Sequence, residues 1–144
     1  RIWPIEHAVI TLKMVLKCFG GSIIVNTGPD AQNYHRQVCS ELSETATKDR
    51  IVNTNTLWQG IEQDIALYHI ANAYLGVDSF SANLAMNCNL NAAVLFRNEG
   101  DSLDYRGRNS PLFPMGFASG HSKQRLTDIS CDKIISSLAT LLKT

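Results

Sequence analysis

The sequence predicts an α/β fold, a Rossmann-like open parallel sheet with helices on both faces. Short apolar runs alternate with amphipathic segments of about ten to fifteen residues, a spacing typical of βαβ units. The runs are rich in β-branched residues, as in strands that are buried on both faces of a parallel sheet. With 144 residues the chain can bury one core, so we expect a single domain spanning 1–144.

The first half of the chain predicts a helix, a strand, a second helix and a second strand, over residues 5–18, 22–26, 31–46 and 49–54. Apolar residues three and four apart predict the first helix, and Gly20 and Gly21 stop it. The run SIIVN predicts the strand that follows. The turn TGPD comes next, and its Asp30 is expected to cap the second helix.

The second half continues the alternation. Thr56 is a plausible N-cap for a helix that leads into the strand AYLGV (73–77). A short helix over 79–88 and the strand NAAVLFR (91–97) follow. Residues 98–127 show no period and predict a long loop, a common location for function. An apolar stripe then predicts a packing helix at the carboxyl end, capped by Thr127 or Asp128.

Composition narrows the classes of function. The 13 basic and 13 acidic residues balance, so no overall field favours nucleic acid or a membrane surface. No apolar run approaches the roughly 18 residues of a transmembrane helix, and no signal-like segment is found. The four cysteines are scattered without metal-ligand spacing, which predicts buried, reduced thiols, no metal and a cytoplasmic location.

An acid and a hydroxyl stand where a strand is predicted to meet a helix. Asp78 and Ser79 directly follow AYLGV. In a parallel sheet the ligand crevice lies beyond the carboxyl ends of the strands, where helix N-termini favour anions. The alternative interpretation is a plain N-cap, in which one of these side chains only satisfies backbone donors.

The order of several segments resembles the C-terminal half of heptosyltransferase-type glycosyltransferases. The segments are RIWP, a strand followed by TGPD, IALYHIANAYLGVDS, AAVLF and DISCDKIISSL, and together they span nearly the whole chain. The most specific part, ANAYLGVDSFSANLAM, is similar to the family run A-x-x-x-x-G-x-D-[ST]-G-x-x-H-x-A. The resemblance implies one half of a GT-B architecture that binds a nucleotide-sugar donor, for example a nucleotide-heptose, with no further cofactor.

The same resemblance assigns candidate donor-binding residues. Arg1 matches a basic residue suited to a donor phosphate, whereas Trp3 and Pro4 of the same segment are expected to be structural. The resemblance further assigns Thr27 and Gly28, at which the backbone can approach a ligand closely, and Asp78, Ser79 and Asn83 of the long motif.

Two departures from the motif put donor binding in question. Phe80 replaces a glycine at the start of the helix, and Asn83 replaces a histidine, so the position cannot become cationic. In the resembling family the general base belongs to an N-terminal Rossmann-like half. That half is absent from this sequence, so we expect a piece of a longer enzyme that does not catalyse transfer by itself.

No other residue gives a strong catalytic signal. Glu62 and Asp64 are two apart on a helix and are expected to be solvated. His7, His35 and His69 lack an evident orienting partner and are expected to be surface or core-edge residues. Arg97 is expected to be a solvated strand end. Weaker anion-contact candidates lie in or beside the long loop, at Tyr105, Arg106, Arg108, His121, Lys123 and Arg125.

Two other functions stay open at this point. The first is a degenerate, non-catalytic α/β binding or interaction module, which Phe80 and Asn83 favour. The second is a small doubly wound protein of the flavodoxin or receiver type, although the acidic pair and late lysine of receivers are not evident.

Overall fold

The computed structural model describes residues 2–54, 60–97 and 125–142, and over these the chain is a mixed α/β protein, as predicted. The helices are α1 (Ile5–Cys18), α2 (Gln32–Ser43), α3 (Ile61–Ile70), α4 (Phe80–Asn87) and α5 (Cys131–Leu142). The strands are β1 (Ile23–Val25), β2 (Ile51–Asn53), β3 (Tyr74–Val77) and β4 (Ala92–Leu95). Short 3₁₀ turns span Pro29–Ala31, Lys48–Arg50 and Leu126–Asp128.

The chain divides into two compact units. The N-terminal unit is Pro4–Gly60, and the C-terminal unit begins at Ile61 and also includes Trp3. Each unit contains one βαβ element: β1, α2 and β2 in the first, and β3, α4 and β4 in the second. The expectation of a single domain stays a prediction.

The N-terminal unit is built around the parallel pair β1 and β2, in register from Ile23 opposite Ile51 to Val25 opposite Asn53. Its core contains Val9, Val25, Val38 and Leu42. The buried positions of α2 are His35, Val38 and Leu42, three and four residues apart, which is the spacing of one helix face. His35 is therefore the first buried residue on this face of α2.

A single arginine closes the end of α1 in this unit. The guanidinium of Arg50 donates through Nη1 to Leu16 O at 2.8 Å and through Nε to Gly21 O at 2.7 Å. Its Nη2 also donates to the carbonyl oxygens of Phe19 and Gly21. The last carbonyl groups of a helix have no partner within the helix, and Arg50 satisfies one of them, Leu16 O, while it also bonds the two carbonyl oxygens that lie beyond the helix end.

The C-terminal unit is built around the parallel pair β3 and β4, in register from Tyr74 opposite Ala92 to Val77 opposite Leu95. All four residues of β4 are buried, and α4 and α5 both pack on this strand. Asn89, which follows α4, has φ 57°. Asparagine tolerates this left-handed conformation better than most residues, and the turn returns the chain to β4.

The described strands therefore form two separate two-stranded parallel sheets, β1 with β2 and β3 with β4. Helices alternate with parallel strands as the sequence predicts. One continuous Rossmann-like sheet with helices on both faces, as half of a GT-B architecture, stays a prediction.

Two predicted caps are wrong for the same reason. Asp30 lies in the turn Pro29–Ala31, and α2 begins after Ala31 without a side-chain cap. Asp128 lies in the turn Leu126–Asp128, where its carboxylate accepts from Arg125 N at 2.8 Å. In both places a 3₁₀ turn precedes the helix and moves its start beyond the acid. Neither Asp128 nor Thr127 caps α5, where Ser130 Oγ instead accepts from Lys133 N at 3.3 Å.

The burial predicted for the thiols is too deep. All four cysteines are free, but Cys18 is exposed and Cys39, Cys88 and Cys131 are only partly buried. Cys18 is the last residue of α1, outside the buried positions of that helix. Burial raises the pKa of the Cys39 thiol, so this side chain is held in its protonated form.

Candidate functional site

The turn between β3 and α4 holds three of the predicted site residues together. Asp78 directly follows β3 at its carboxyl end and is partly exposed, and its N–H donates to Leu95 O at 3.3 Å. Ser79 is the N-cap of α4, and its Oγ accepts from Ala82 N at 3.3 Å. Ser79 therefore caps α4, and its assignment to a donor site stays a prediction.

Asn83 lies one turn into α4 and bonds back to the same cap. Its Nδ2 donates to Ser79 O at 3.0 Å, and its backbone N–H donates to the same oxygen at 3.2 Å. Phe80, the first residue of α4, has 66% of its surface exposed. The bulk that replaces the motif glycine therefore lies on the surface of this turn.

A tyrosine links the start of β3 to this cap. The Tyr74 side chain lies against Gly76, where an added Cβ would meet the Tyr74 hydroxyl and ring closer than real Cβ contacts come. Glycine is required here because no side chain fits beneath the tyrosine. Burial raises the pKa of Tyr74, and a side-chain hydrogen bond with Ser79 lowers it in part. Tyr74 thus spans β3 and reaches the N-cap of α4.

A second tyrosine extends this arrangement to α3. The Tyr68 and Tyr74 rings pack edge to face with centroids 5.9 Å apart. Burial raises the pKa of Tyr68, the nearby Tyr74 and Asp64 raise it further, and a side-chain hydrogen bond with Ser81 lowers it. The expectation that Asp64 is solvated is wrong, because Asp64 and Tyr68 are the two buried positions of α3, one turn apart. Glu62 is exposed, as expected.

Thr27 and Gly28 lie in the N-terminal unit, beyond the carboxyl end of β1, whereas the turn at Asp78 belongs to the C-terminal unit. Gly28 has φ −65°, which any residue adopts, so no unusual conformation requires glycine there. An added Cβ would come 2.8 Å from Asp30 Oδ1, a side-chain atom. The Asp30 carboxylate therefore lies where a side chain on residue 28 would point.

Thr27 belongs to a group of polar residues that the sequence did not single out as a site. His35, which is fully buried, lies between Thr27 and Asn53. Its Nε2 is 2.6 Å from Asn53 Oδ1, and its Nδ1 is 3.2 Å from Thr27 Oγ1. We call Thr27, His35 and Asn53 the histidine cluster.

Thr54, next to Asn53, links the two chain segments that carry Thr27 and Asn53. Thr54 Oγ1, which is buried, donates to Val25 O at 2.9 Å and lies 3.2 Å from Asn26 Oδ1. This contact joins the segments that follow β1 and β2. The two strands are parallel, so their carboxyl ends meet at one edge, and Thr27 and Asn53 are both held there.

The sequence carries a signal for this cluster. A helix face through Tyr34, Val38, Leu42 and Ala46, at intervals of four, excludes His35 and predicts a surface or core-edge residue. That prediction is wrong, because His35 is fully buried. The observed face runs through His35 at intervals of three and four, and βαβ geometry then brings the first turn of α2 to the strand ends.

Other predicted contacts are exposed or undescribed. Arg97 is exposed directly after β4, as expected for a solvated strand end, and Arg125 and His69 are exposed too. Several of the candidates lie outside the described residues: Arg1, Tyr105, Arg106, Arg108, His121 and Lys123.

The described residues contain neither a metal-binding group nor a membrane-spanning helix. No group of three or more His, Cys, Asp or Glu side chains lies close enough to hold a metal ion in residues 2–54, 60–97 and 125–142. In this same part of the chain, no helix combines the length and apolar character that crossing a membrane requires.

Comparison with known proteins identifies no relative: no family model, no curated protein and no solved structure matches the chain.

Proposed function

We propose that this chain is the nucleotide-sugar donor-binding domain of a glycosyltransferase. The observation that carries the proposal is the location of Asp78, a partly exposed carboxylate at the carboxyl end of a parallel strand and directly before a helix. Ligands of α/β proteins bind at this edge of a parallel sheet. The resemblance to heptosyltransferase-type enzymes supports the same assignment.

The chemistry of the turn suits a sugar better than a bare phosphate. A carboxylate accepts hydrogen bonds from sugar or ribose hydroxyl groups, whereas it repels an anion at close range. The donor diphosphate would be held by backbone N–H groups at the helix start and by a basic residue such as Arg1. Transfer itself would need a general base from the second half that the resemblance implies.

Calorimetric titration with UDP-, ADP- and GDP-linked sugars tests this proposal. We expect one of these donors to bind, and Asp78→Ala to weaken its binding by roughly 10- to 100-fold, the size expected for a lost hydrogen bond to a charged group. Asp132→Ala is the matched control, because Asp132 is an exposed acid in the first turn of α5 in the same unit. We expect the control to bind like the parent chain.

The proposal is wrong if no nucleotide or nucleotide sugar binds the correctly folded chain. It is also wrong if Asp78→Ala binds the donor as tightly as the parent. Circular dichroism of each variant shows whether the fold is intact before binding is compared.

A second candidate function is a non-catalytic α/β module descended from such an enzyme. It is favoured by Phe80, exposed where the motif has glycine, and by Asn83, whose amide is engaged with Ser79 O. The calorimetric experiment separates the two, since this module would bind no donor. For either function we propose a cytoplasmic location, because four free cysteines fit a reducing compartment.

A further inference from the structure

The histidine cluster has the order of contacts found in activated nucleophiles. A hydroxyl, Thr27 Oγ1, lies 3.2 Å from His35 Nδ1, and the opposite ring nitrogen lies 2.6 Å from Asn53 Oδ1. A nucleophile, a base within hydrogen-bond reach and a third group that orients the base are the general signature of such a site. One residue from the turn after β1, one from α2 and one from β2 converge to make it.

The oxygen of Asn53 determines where the imidazole proton lies. An amide oxygen can only accept a hydrogen bond, so His35 Nε2 donates to Asn53 Oδ1. In the neutral ring Nδ1 then carries a lone pair, and the Thr27 hydroxyl donates to it. Thr27 Oγ1 therefore directs its hydrogen inward and is left with oxygen lone pairs for another molecule.

The three members of the histidine cluster differ in burial. His35 is 0% exposed, whereas Thr27, two residues after the end of β1, is partly exposed, and Asn53 is exposed. Thr27 therefore borders solvent, whereas the His35 imidazole does not. Gly28 follows with no side chain, and the N–H of the residue after a nucleophile is a common oxyanion donor.

We propose that Thr27 is a nucleophile that accepts an acyl group from an activated acyl donor. Thr27 Oγ1 attacks the carbonyl carbon while His35 Nδ1 takes the hydroxyl proton, and a C–O bond forms. The tetrahedral intermediate collapses by breaking the bond to the leaving group, which departs with its electron pair. The products are acyl-Thr27, the free leaving group and the protonated imidazole of His35, which keeps the proton taken from Thr27 Oγ1.

The burial of His35 restricts the class of acyl donor. The imidazole lies behind Thr27 and can accept the proton of the nucleophile, but it is closed off from a leaving group on the far side. The leaving group must therefore depart without receiving a proton from the base. This requirement selects donors with good leaving groups, such as aryl esters, thioesters and acyl phosphates, over amides and alkyl esters.

This inference does not depend on donor binding at Asp78. The histidine cluster lies wholly within the N-terminal unit, and its test uses a small acyl donor with no nucleotide or sugar. Either proposal can therefore fail without the other.

Incubation of the full chain with 4-nitrophenyl acetate tests the proposal. We expect a burst of nitrophenolate, a mass increase of one acetyl group, and the acetyl ester on the peptide that contains Thr27. Thr27→Ser should still be acylated, and Thr27→Val, which keeps the shape of the side chain, should not. Thr45→Val is the matched control, because Thr45 Oγ1 donates to a backbone carbonyl, Leu42 O, rather than to an imidazole.

The roles of the other two residues need separate variants. His35→Gln should lower the rate of acylation roughly 100-fold or more, as expected for the loss of a general base. Asn53 is a positioning residue, so Asn53→Leu should also slow acylation. Asn53→Asp should be acylated at about the parent rate, because a carboxylate also accepts from Nε2. Asn53→Leu and Asn53→Asp leave the buried imidazole in place. They therefore test the orienting contact between Asn53 and His35 even if His35→Gln does not fold.

Three results would overturn the proposal. One is a folded parent chain that gains no acetyl group. Another is acetylation that maps to lysine or to another hydroxyl and is unchanged in Thr27→Val. The third is equal rates in folded Asn53→Leu, Asn53→Asp and the parent chain, because the orienting contact would then have no effect on the nucleophile.

Discussion

At the scale of single residues, the N-cap of α4 is the clearest case in which a sequence pattern and the structure agree. A serine directly before a helical run predicts a cap, and Ser79 Oγ accepts from Ala82 N as such a cap does. The acids at Asp30 and Asp128 carry the same pattern but lie in 3₁₀ turns. Local pattern identifies residues that can cap, while the turn in front of the helix decides which of them does.

Replacing the serine should destabilise the chain measurably. We expect Ser79→Ala to lower the free energy of unfolding by about 1 kcal/mol, because Ala82 N loses its acceptor. Urea unfolding followed by circular dichroism measures the change. Ser137→Ala is the control: Ser137 is a partly exposed residue inside α5 whose Oγ donates to Lys133 O, a carbonyl within the same helix, so its loss should have little effect. Equal stability of Ser79→Ala and the parent would contradict the role of this cap.

At the same scale, His35 could have been placed from the sequence only in part. Its position three residues before Val38 is visible as part of a helix face. Its two partners are eight and eighteen residues away along the chain, and only the pairing of β1 with β2 brings them together. The residue type was evident, but the partners that give it a chemical role depend on the tertiary structure.

At the scale of secondary-structure elements, the alternation of helices and strands is well predicted, and the bounds differ by a few residues. The segment expected as a helix over 31–46 is α2, Gln32–Ser43, and the strand expected over 91–97 contains β4, Ala92–Leu95. Apolar period determines the type of element, whereas its ends depend on caps and turns. The termination of α1 shows this dependence, since it involves an arginine far along the chain.

The contacts of Arg50 at the end of α1 lead to a stability prediction. Arg50→Lys keeps the charge but loses the planar fork that reaches several carbonyl groups at once. We expect the free energy of unfolding to fall by roughly 2 kcal/mol, measured by urea unfolding.

The matched control for this variant is Arg36→Lys. Arg36 is exposed on α2, and its Nη2 donates to Asn33 Oδ1 at 2.7 Å on the same helix. A surface contact of this kind contributes little, so the control should change stability by less than about 0.5 kcal/mol. A similar loss in both variants would show that Arg50 does not have the proposed role at the helix end.

At the scale of the whole molecule, the α/β class follows from the alternation along the chain, but the grouping of strands does not. The sequence predicted one sheet, and the described strands pair as β1 with β2 and as β3 with β4. Each pairing joins strands that are consecutive in the chain and separated by one helix. Whether such pairs extend into one sheet depends on contacts between distant strands, which apolar period alone does not encode.

Buried tyrosines make the stability of the chain sensitive to alkaline pH. Burial raises the pKa of Tyr34 from 10.0 to about 12, and it also raises the pKa of Tyr68 and Tyr74. Between pH 10 and about 12 the unfolded chain loses the Tyr34 proton while the folded chain keeps most of it, and the raised pKa values of Tyr68 and Tyr74 act in the same direction. The free energy of unfolding should therefore be fully retained below pH 10 and fall as the pH rises above it.

Urea unfolding at a series of pH values, with phenolate absorbance recorded on the folded chain, measures this effect. Tyr34→Phe should reduce the alkaline loss of stability, since one of the three groups is removed. If Tyr34 in the folded chain titrated near pH 10, or if stability were unchanged up to pH 12, burial would not control these groups.

Tyr74 connects the beginning of β3 to the N-cap of α4 through its contact with Gly76 and its hydrogen bond with Ser79. Strand, turn and helix start are thereby linked through one ring. A ligand at Asp78 that broke the Ser79 cap would also have to displace the Tyr74 side chain, because Tyr74 is hydrogen-bonded to Ser79. We therefore expect that a ligand which binds at Asp78 would meet a preorganised turn, with little change in the positions of Tyr74 and Ser79.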